Sequence, residues 1–185
     1  MVAHAASTSQ SSLDAKKPKS ASTAGVTKPA QDACAFLDAD HKAVKKLFLE
    51  YEEAAKSKAR NADATKEALA RKICRELTAH ATVEEEIFYP AVRAAINDDD
   101  MLNEAEIEHA SAKDLIAQIE ASDPSDDMFD SKVKVLGEYI DHHVKEERNE
   151  MFPEARSAKK LDLFDLRNKM AARKAELLPP QPSVM

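Results

Sequence analysis

The sequence predicts an all-α fold: an up-down-up-down four-helix bundle with an additional C-terminal helix and a disordered N-terminal tail. Three observations carry this. Ala, Leu, Glu and Lys dominate the 185 residues, which include only two Gly (Gly25 and Gly137) and no Trp. The β-branched residues and Gly/Asn turns of strands and hairpins are therefore scarce. From Asp32 onward, apolar residues recur every three or four positions, the period of one helix face. The patterned stretches are joined by short connections, which makes neighbouring helices antiparallel.

Residues 1–31 are Ser, Thr, Ala, Lys and Pro with almost no large apolar side chains. They cannot bury enough surface to offset their ordering entropy, and they are expected to be a disordered tail. The folded domain is expected over 32–178, with a flexible end at 179–185. The first helix is predicted from about Asp32 to Lys58, with Leu37, His41, Val44, Phe48 and Tyr51 on its inner face. The second runs from about Ala62 to Ile96, with Leu69, Ile73, Leu77, His80, Glu84 and Ile87 inward. Pro90 should kink it or weaken its last turns. The third spans about Asp98 to Ala121, with Leu102, Ala105, His109, Ala112, Ile116 and Ile119 inward. Ser122-Asp123-Pro124-Ser125-Asp126 then breaks the chain and is expected to supply an N-cap. The fourth runs to about Phe152, with Val133, Leu136, Ile140, His143 and Glu147 inward. A last amphipathic stretch, about Leu161 to Leu178, should pack against the bundle.

Charge narrows the function classes. The net charge is −7, yet the first 31 residues hold four Lys and one Asp, leaving 23 basic and 33 acidic residues beyond them. An acidic domain repels phosphates and is a poor nucleic-acid binder, apart from a weak contact through the tail. Cys34 and Cys74 cannot form a disulfide framework and read as buried thiols. No stretch is long and apolar enough for a membrane span, and no apolar leader opens the chain, so a cytoplasmic location is expected.

The chemistry is carried by what interrupts the apolar faces. Each of the four helices has a His in the middle of its inner stripe: His41, His80, His109 and His143. Two are followed by Glu in His80-x-x-x-Glu84 and His143-x-x-x-Glu147, and residues four apart on a helix are neighbours on one face. His142 and Glu146 form the same spacing one position earlier. Counted from the helix ends at 1.5 Å per residue, the sites on the first three helices fall within about a turn of one another. The fourth fits about one turn less well. A single His on an apolar face is commonly a hydrogen-bonded core residue. Four His and two Glu at one level are different, because buried unpaired carboxylates are costly and a cation removes that cost. Imidazole with carboxylate disfavours Mg and Ca, and the lack of Cys ligands disfavours a structural zinc. Six ligands suit two octahedral ions, expected to be non-haem iron, with manganese as the second choice.

Asp40-His41-Lys42, HATVEEEIFYP (80–90), EAEIEHASAKDLI (104–116) and YIDHHVKEERNEMFP (139–153) together resemble the hemerythrin-like HHE cation-binding domain, over about residues 32–175. Aligning the two H-x-x-x-E blocks on Pro90 and Pro153 sets His80 over His143 and Glu84 over Glu147, which leaves His142 as the outward neighbour. The resemblance implies a di-iron centre with His41, His80, Glu84, His109, His143 and Glu147 as ligands and the two Glu as bridges. It also implies chemistry with dioxygen, peroxide or nitric oxide, of a peroxidase/catalase-like or nitric-oxide-reactive kind, or iron sensing without catalysis. The small ligand would be the partner. Oxygen-carrying members place a further His and an Asp where this chain has Lys113 and Arg148, which turns the expectation from carrying oxygen toward reacting with it. A ferritin-like oxidase fits less well, because only Glu106-x-x-His109 matches its Glu-x-x-His pattern. Tyr51 shares the His41 stripe about 15 Å away and reads as an inner-seam aromatic. Glu76 and Tyr139 are candidates to support ligand imidazoles. Glu85, Glu86 and Glu146 read as solvated.

Overall fold

A computed structural model describes Met1, residues 31–96 and residues 98–179. The expected disordered tail and most of the flexible C-terminus therefore lie outside the described residues. The elements are α1 (Ala33–Lys56), α2 (Ala62–Val83), a π turn (Glu84–Phe88), α3 (Tyr89–Ala95), α4 (Asp99–Ala121), α5 (Phe129–Glu146), a second π turn (Glu147–Met151), α6 (Phe152–Ser157) and α7 (Leu163–Leu177). There are no strands among the described residues. α1 packs on α2 and α5, and α4 packs on α2 and α5, which closes the four-helix ring; α7 lies against α1 and α2.

Helix starts follow local chemistry. Asp32 caps α1 by accepting from Ala35 N–H at 2.7 Å, and its carboxylate also accepts from Arg156 Nε at 3.0 Å. Asp98 caps α4 and Asp162 caps α7 in the same way. Such caps satisfy the otherwise orphaned N–H groups of the first turn. The Ser122–Asp126 run breaks the chain as expected but does not cap α5. Asp123 Oδ1 accepts from Ser125 N–H at 2.9 Å, and α5 begins behind Met128 with no side-chain cap. The short polar side chains close a local turn instead.

Pro90 does not end its helix. Proline offers no N–H and crowds the carbonyl four residues back. The turn before it is widened, so that Tyr89 N–H bonds the Glu84 carbonyl five residues back. The second block repeats this before Pro153, with Phe152 N–H on the Glu147 carbonyl. Each π turn therefore opens at a Glu predicted to bind metal, a placement common for π bulges at functional sites.

Two apolar clusters fill the bundle. One gathers Leu37, Val83, Phe88, Leu102, Ala105, Met151 and Phe152 with Leu163, Leu166 and Met170 of α7. The other gathers Val44, Leu47, Leu77, Ala112, Ile116, Phe129, Val133 and Leu136. His41 lies between Leu37 and Val44, His80 between Leu77 and Val83, and His109 between Ala105 and Ala112, so on these three helices the polar residue falls between the two clusters. Gly137 lets α5 approach α1 closely, since a Cβ there would stand 3.2 Å from Phe48 Cδ1. Cys34 and Cys74 are buried, and burial pushes both thiols up to about 12. No described helix is long and apolar enough to cross a membrane.

Candidate metal centre

Among the described residues the buried polar or charged side chains are His41, His80, Glu84, His109, His143 and Glu147, the six singled out by sequence. Their ligand atoms converge. His41 Nε2 lies 2.9 Å from His80 Nε2 and 3.2 Å from Glu147 Oε2. His109 Nε2 lies 3.2 Å from His143 Nε2. Glu84 spans the two halves, with Oε1 3.2 Å from His80 Nε2 and Oε2 3.4 Å from His109 Nε2. Two ligand groups result: His41, His80, Glu84 and Glu147, and Glu84, His109 and His143.

This donor set fits a pair of cations. Glu84 is fully buried, and neither of its oxygens nor Glu147 Oε2 accepts a hydrogen bond. A carboxylate so placed is costly unless a positive charge faces it. Among the protein groups alone, burial acts to lower the His80 pKa, but the Glu84 and Asp40 carboxylates outweigh it and raise it to about 10. Burial likewise opposes the charge on His143, yet Glu108 and Glu147 bring it up to about 9. Burial would raise Glu84, and the neighbouring His80 and His109 hold it well below the usual carboxylate range.

These directions give a signed prediction. A His with a raised folded pKa contributes stability that is whole below its unfolded value near 6.5 and lost as pH rises through the folded value. Chelator-stripped protein should therefore lose stability between about pH 6.5 and pH 10 through His80 and His143. Its metal affinity should rise over the same window, because the ligands must shed protons. Denaturant midpoints and metal titrations across that range check both; a midpoint that climbs with pH would refute the assignment.

The outer nitrogens of three His are held by carboxylates. His143 Nδ1 is 2.7 Å from Glu108 Oε2, His109 Nδ1 is 2.9 Å from Glu85 Oε1, and His80 Nδ1 is 3.5 Å from Asp40 Oδ2. Each supporter directly neighbours a ligand on the adjoining helix: Asp40 beside His41, Glu85 beside Glu84, Glu108 beside His109. One step along a helix turns the side chain about 100°, toward the next helix in the ring. By the same alternation the fourth corner falls to Arg148, beside Glu147. It pairs instead with Asp38, and His41 Nδ1 has no hydrogen-bond partner. Supporting partners fix tautomer and ring orientation. Glu108→Gln, Glu85→Gln and Asp40→Asn should each weaken metal binding by about 10–100-fold, read by competition with a chelator.

The expectations for Glu76, Tyr139 and Glu85 are corrected by the structure. Glu76 does not support an imidazole; it faces Lys174 at 3.9 Å. Tyr139 is exposed. Glu85 is not simply solvated, since it bridges His109 and Lys113. Glu86 pairs with Arg173, and Glu146 with the exposed His142. Tyr51 donates to Asp130 at 2.5 Å, away from the cluster. Lys113 and Arg148 are both engaged by carboxylates and do not join the cluster.

One residue of the cluster escaped the sequence reading. Tyr89 is 2% exposed, and its hydroxyl lies 3.2 Å from His109 Nε2 and 3.3 Å from His143 Nε2, and donates to Glu147 Oε1 at 3.2 Å. Regular helical spacing turns position 89 away from Glu84. The π turn brings residues five apart back onto one face. The only signal was the proline following it.

A helical bundle whose core holds His and Glu clusters defines a metal-binding helical domain. The chain matches the hemerythrin HHE cation binding domain over residues 32–155. It belongs to that family. It is 36% identical over 85 residues to a DNA nickase of Nostoc sp. (strain PCC 7120), covering 46% of this chain and 24% of that protein. The chain thus spans about a quarter of the length of this curated relative. A hemerythrin HHE cation binding domain-containing protein from Mycobacterium kansasii shares the fold, with a TM-score of 0.63 at 23% identity over 80% of this chain and 87% of that one.

Proposed function

We propose that the chain is a cytoplasmic non-haem di-iron protein that reacts with or senses dioxygen, peroxide or nitric oxide. The observation that supports it most is Glu84, one buried carboxylate whose two oxygens face His80 on one side and His109 on the other. His41, His80 and Glu147 would complete one ion's set, and His109 and His143 the other's. When bound, the ions supply redox change and an open position for a small ligand. The residues around them supply the rest. Glu84 and Glu147 offset charge, and the apolar layers exclude bulk water. A small cavity of about 20 Å³ lies against His41, His80, His109 and His143, walled by Val44, Leu77, Ile116 and Val144. That is room for about one water-sized molecule, and the mostly apolar wall favours a diatomic.

A second reading, a non-catalytic iron sensor, is favoured by α7. Lys174 Nζ pairs with Asp40 at 2.7 Å, and Asp40 backs His80, so a ligand's orientation is mechanically tied to the C-terminal helix. DNA nicking is not carried over: the match covers a small part of that relative, and the acidic excess beyond residue 31 repels phosphate. Iron per chain, with a near-ultraviolet absorption bleached by dithionite and restored by air, tests the first reading. Two irons per chain whose spectrum ignores oxygen, peroxide and nitric oxide, with helicity tracking occupancy, would favour the second. One zinc per chain would refute both.

A further inference from the structure

We propose that Glu108, His142 and Glu146 form an outer cation site, where ferrous iron is captured before it enters the core; the loading role rests on the di-iron reading. The sequence repeats its metal-binding spacing one position early, since His142-x-x-x-Glu146 precedes His143-x-x-x-Glu147. One step along a helix turns a side chain about 100°. The inner pair therefore faces the core, and the outer pair faces the groove between α5 and α4. There it meets Glu108, which likewise sits one step before the inward His109. His142 Nε2 lies 3.1 Å from Glu146 Oε1 and 3.5 Å from Glu108 Oε1, so ligand atoms of all three residues converge. One imidazole and two carboxylates from neighbouring helices are a donor set for iron or manganese. His142 is exposed and both Glu are part-buried, so an ion here keeps water and is held loosely, which suits capture and release.

The cavity beside this trio reaches the core. It holds about 300 Å³, and Asp98, Asp100, Glu104, Glu108, Glu146 and Glu150 line it with no Lys or Arg in its wall. Among the described residues, Glu108 and Glu146 have His as their only ion-pair partners. The inner wall includes His143 and Glu147 of the core centre. Glu147 is 1% exposed and its Oε2 accepts no hydrogen bond, so an unbalanced buried carboxylate stands at the inner end. Glu108 touches both sites, with Oε1 toward His142 and Oε2 2.7 Å from His143 Nδ1.

A cleft walled by one sign of charge focuses its field and concentrates the opposite ion. The cavity on the other flank of α4 differs. Arg93 and Lys113 line it, and each is tied to a carboxylate there, Glu106 and Glu85. The unneutralised acidic wall puts the cation route on the α4–α5 side.

The test makes two measurements on the full-length chain. Iron-loaded protein is first titrated with Mn(II), with free manganese counted by electron paramagnetic resonance. One weakly held manganese per chain is expected beyond the irons, and His142→Gln combined with Glu146→Gln should remove it while the irons stay. Chelator-stripped protein is then mixed with Fe(II) without oxygen, and uptake is followed to completion. The paired substitution should slow uptake about tenfold, the low end of what charge focusing contributes, with the final iron per chain unchanged. Glu138→Gln, an equal loss of charge at an exposed position of the same helix, should leave uptake unaltered. No manganese beyond the irons, or manganese kept by the paired variant, would overturn the outer site. A lower final iron count in that variant would overturn it too, by making these residues part of the core centre. Uptake at the unmodified rate, or slowed equally by Glu138→Gln, would overturn the loading role and leave the di-iron reading standing. Fewer than two irons in the unmodified protein would overturn the di-iron reading and the loading role with it; manganese lost on the paired substitution would still decide the outer site.

Discussion

His80→Ala combined with Glu147→Ala is expected to abolish stoichiometric iron binding while leaving the helices in place. The group His41, His80, Glu84 and Glu147 loses two of its four members, and His41, whose Nδ1 has no partner, is the weakest anchor left. The other ion suffers too, since Glu147 Oε2 also lies 3.8 Å from His143 Nε2. Losing a ligand costs more than losing a supporting partner, for which about 10–100-fold is typical. The two apolar clusters above and below the layer are untouched, and they carry most of the folding energy. Elemental analysis should find iron well below one per chain, with circular dichroism close to that of the unmodified protein. Two irons still bound would show that the wrong residues have been assigned.

The second large effect is on stability. A ligand that binds only the folded chain, present at 1,000 times its Kd, adds about 4 kcal/mol. For a domain of this size each kcal/mol moves Tm by about 2–4 °C, so stripping the metal should lower Tm by roughly 8–16 °C. The physical source is the set of buried carboxylate oxygens on Glu84 and Glu147 that accept no hydrogen bond. Glu84→Gln removes the carboxylate shared by both groups and should erase most of the metal-dependent rise. Scanning calorimetry with and without chelator reads this directly. A Tm indifferent to iron in the unmodified protein would mean that the cluster is not a metal centre.

What the sequence showed well was periodic. Leu37, His41 and Val44, or Ala105, His109 and Ala112, announce a face because a helix repeats every 3.6 residues whatever its neighbours do. Helix ends at Asp32 and Asp98 were readable for the same local reason. The capping of α5 was misjudged because Asp123 has a nearer bond to make with Ser125. Pro90 was read as a weak point, and the chain instead absorbed it in a wider turn.

By itself, then, the sequence determined an antiparallel helical bundle with one polar layer of four His and two Glu. Those are properties of spacing along single helices, and spacing is local. The tertiary structure alone decided which carboxylate backs which imidazole, since Asp40, Glu85 and Glu108 each reach across to a neighbouring helix. It alone set aside Glu76 and Tyr139 and brought in Tyr89. A hydroxyl is placed at the centre by its own π turn and meets partners from α4 and from α5 with the π turn that follows it, and no periodicity within one helix encodes that convergence.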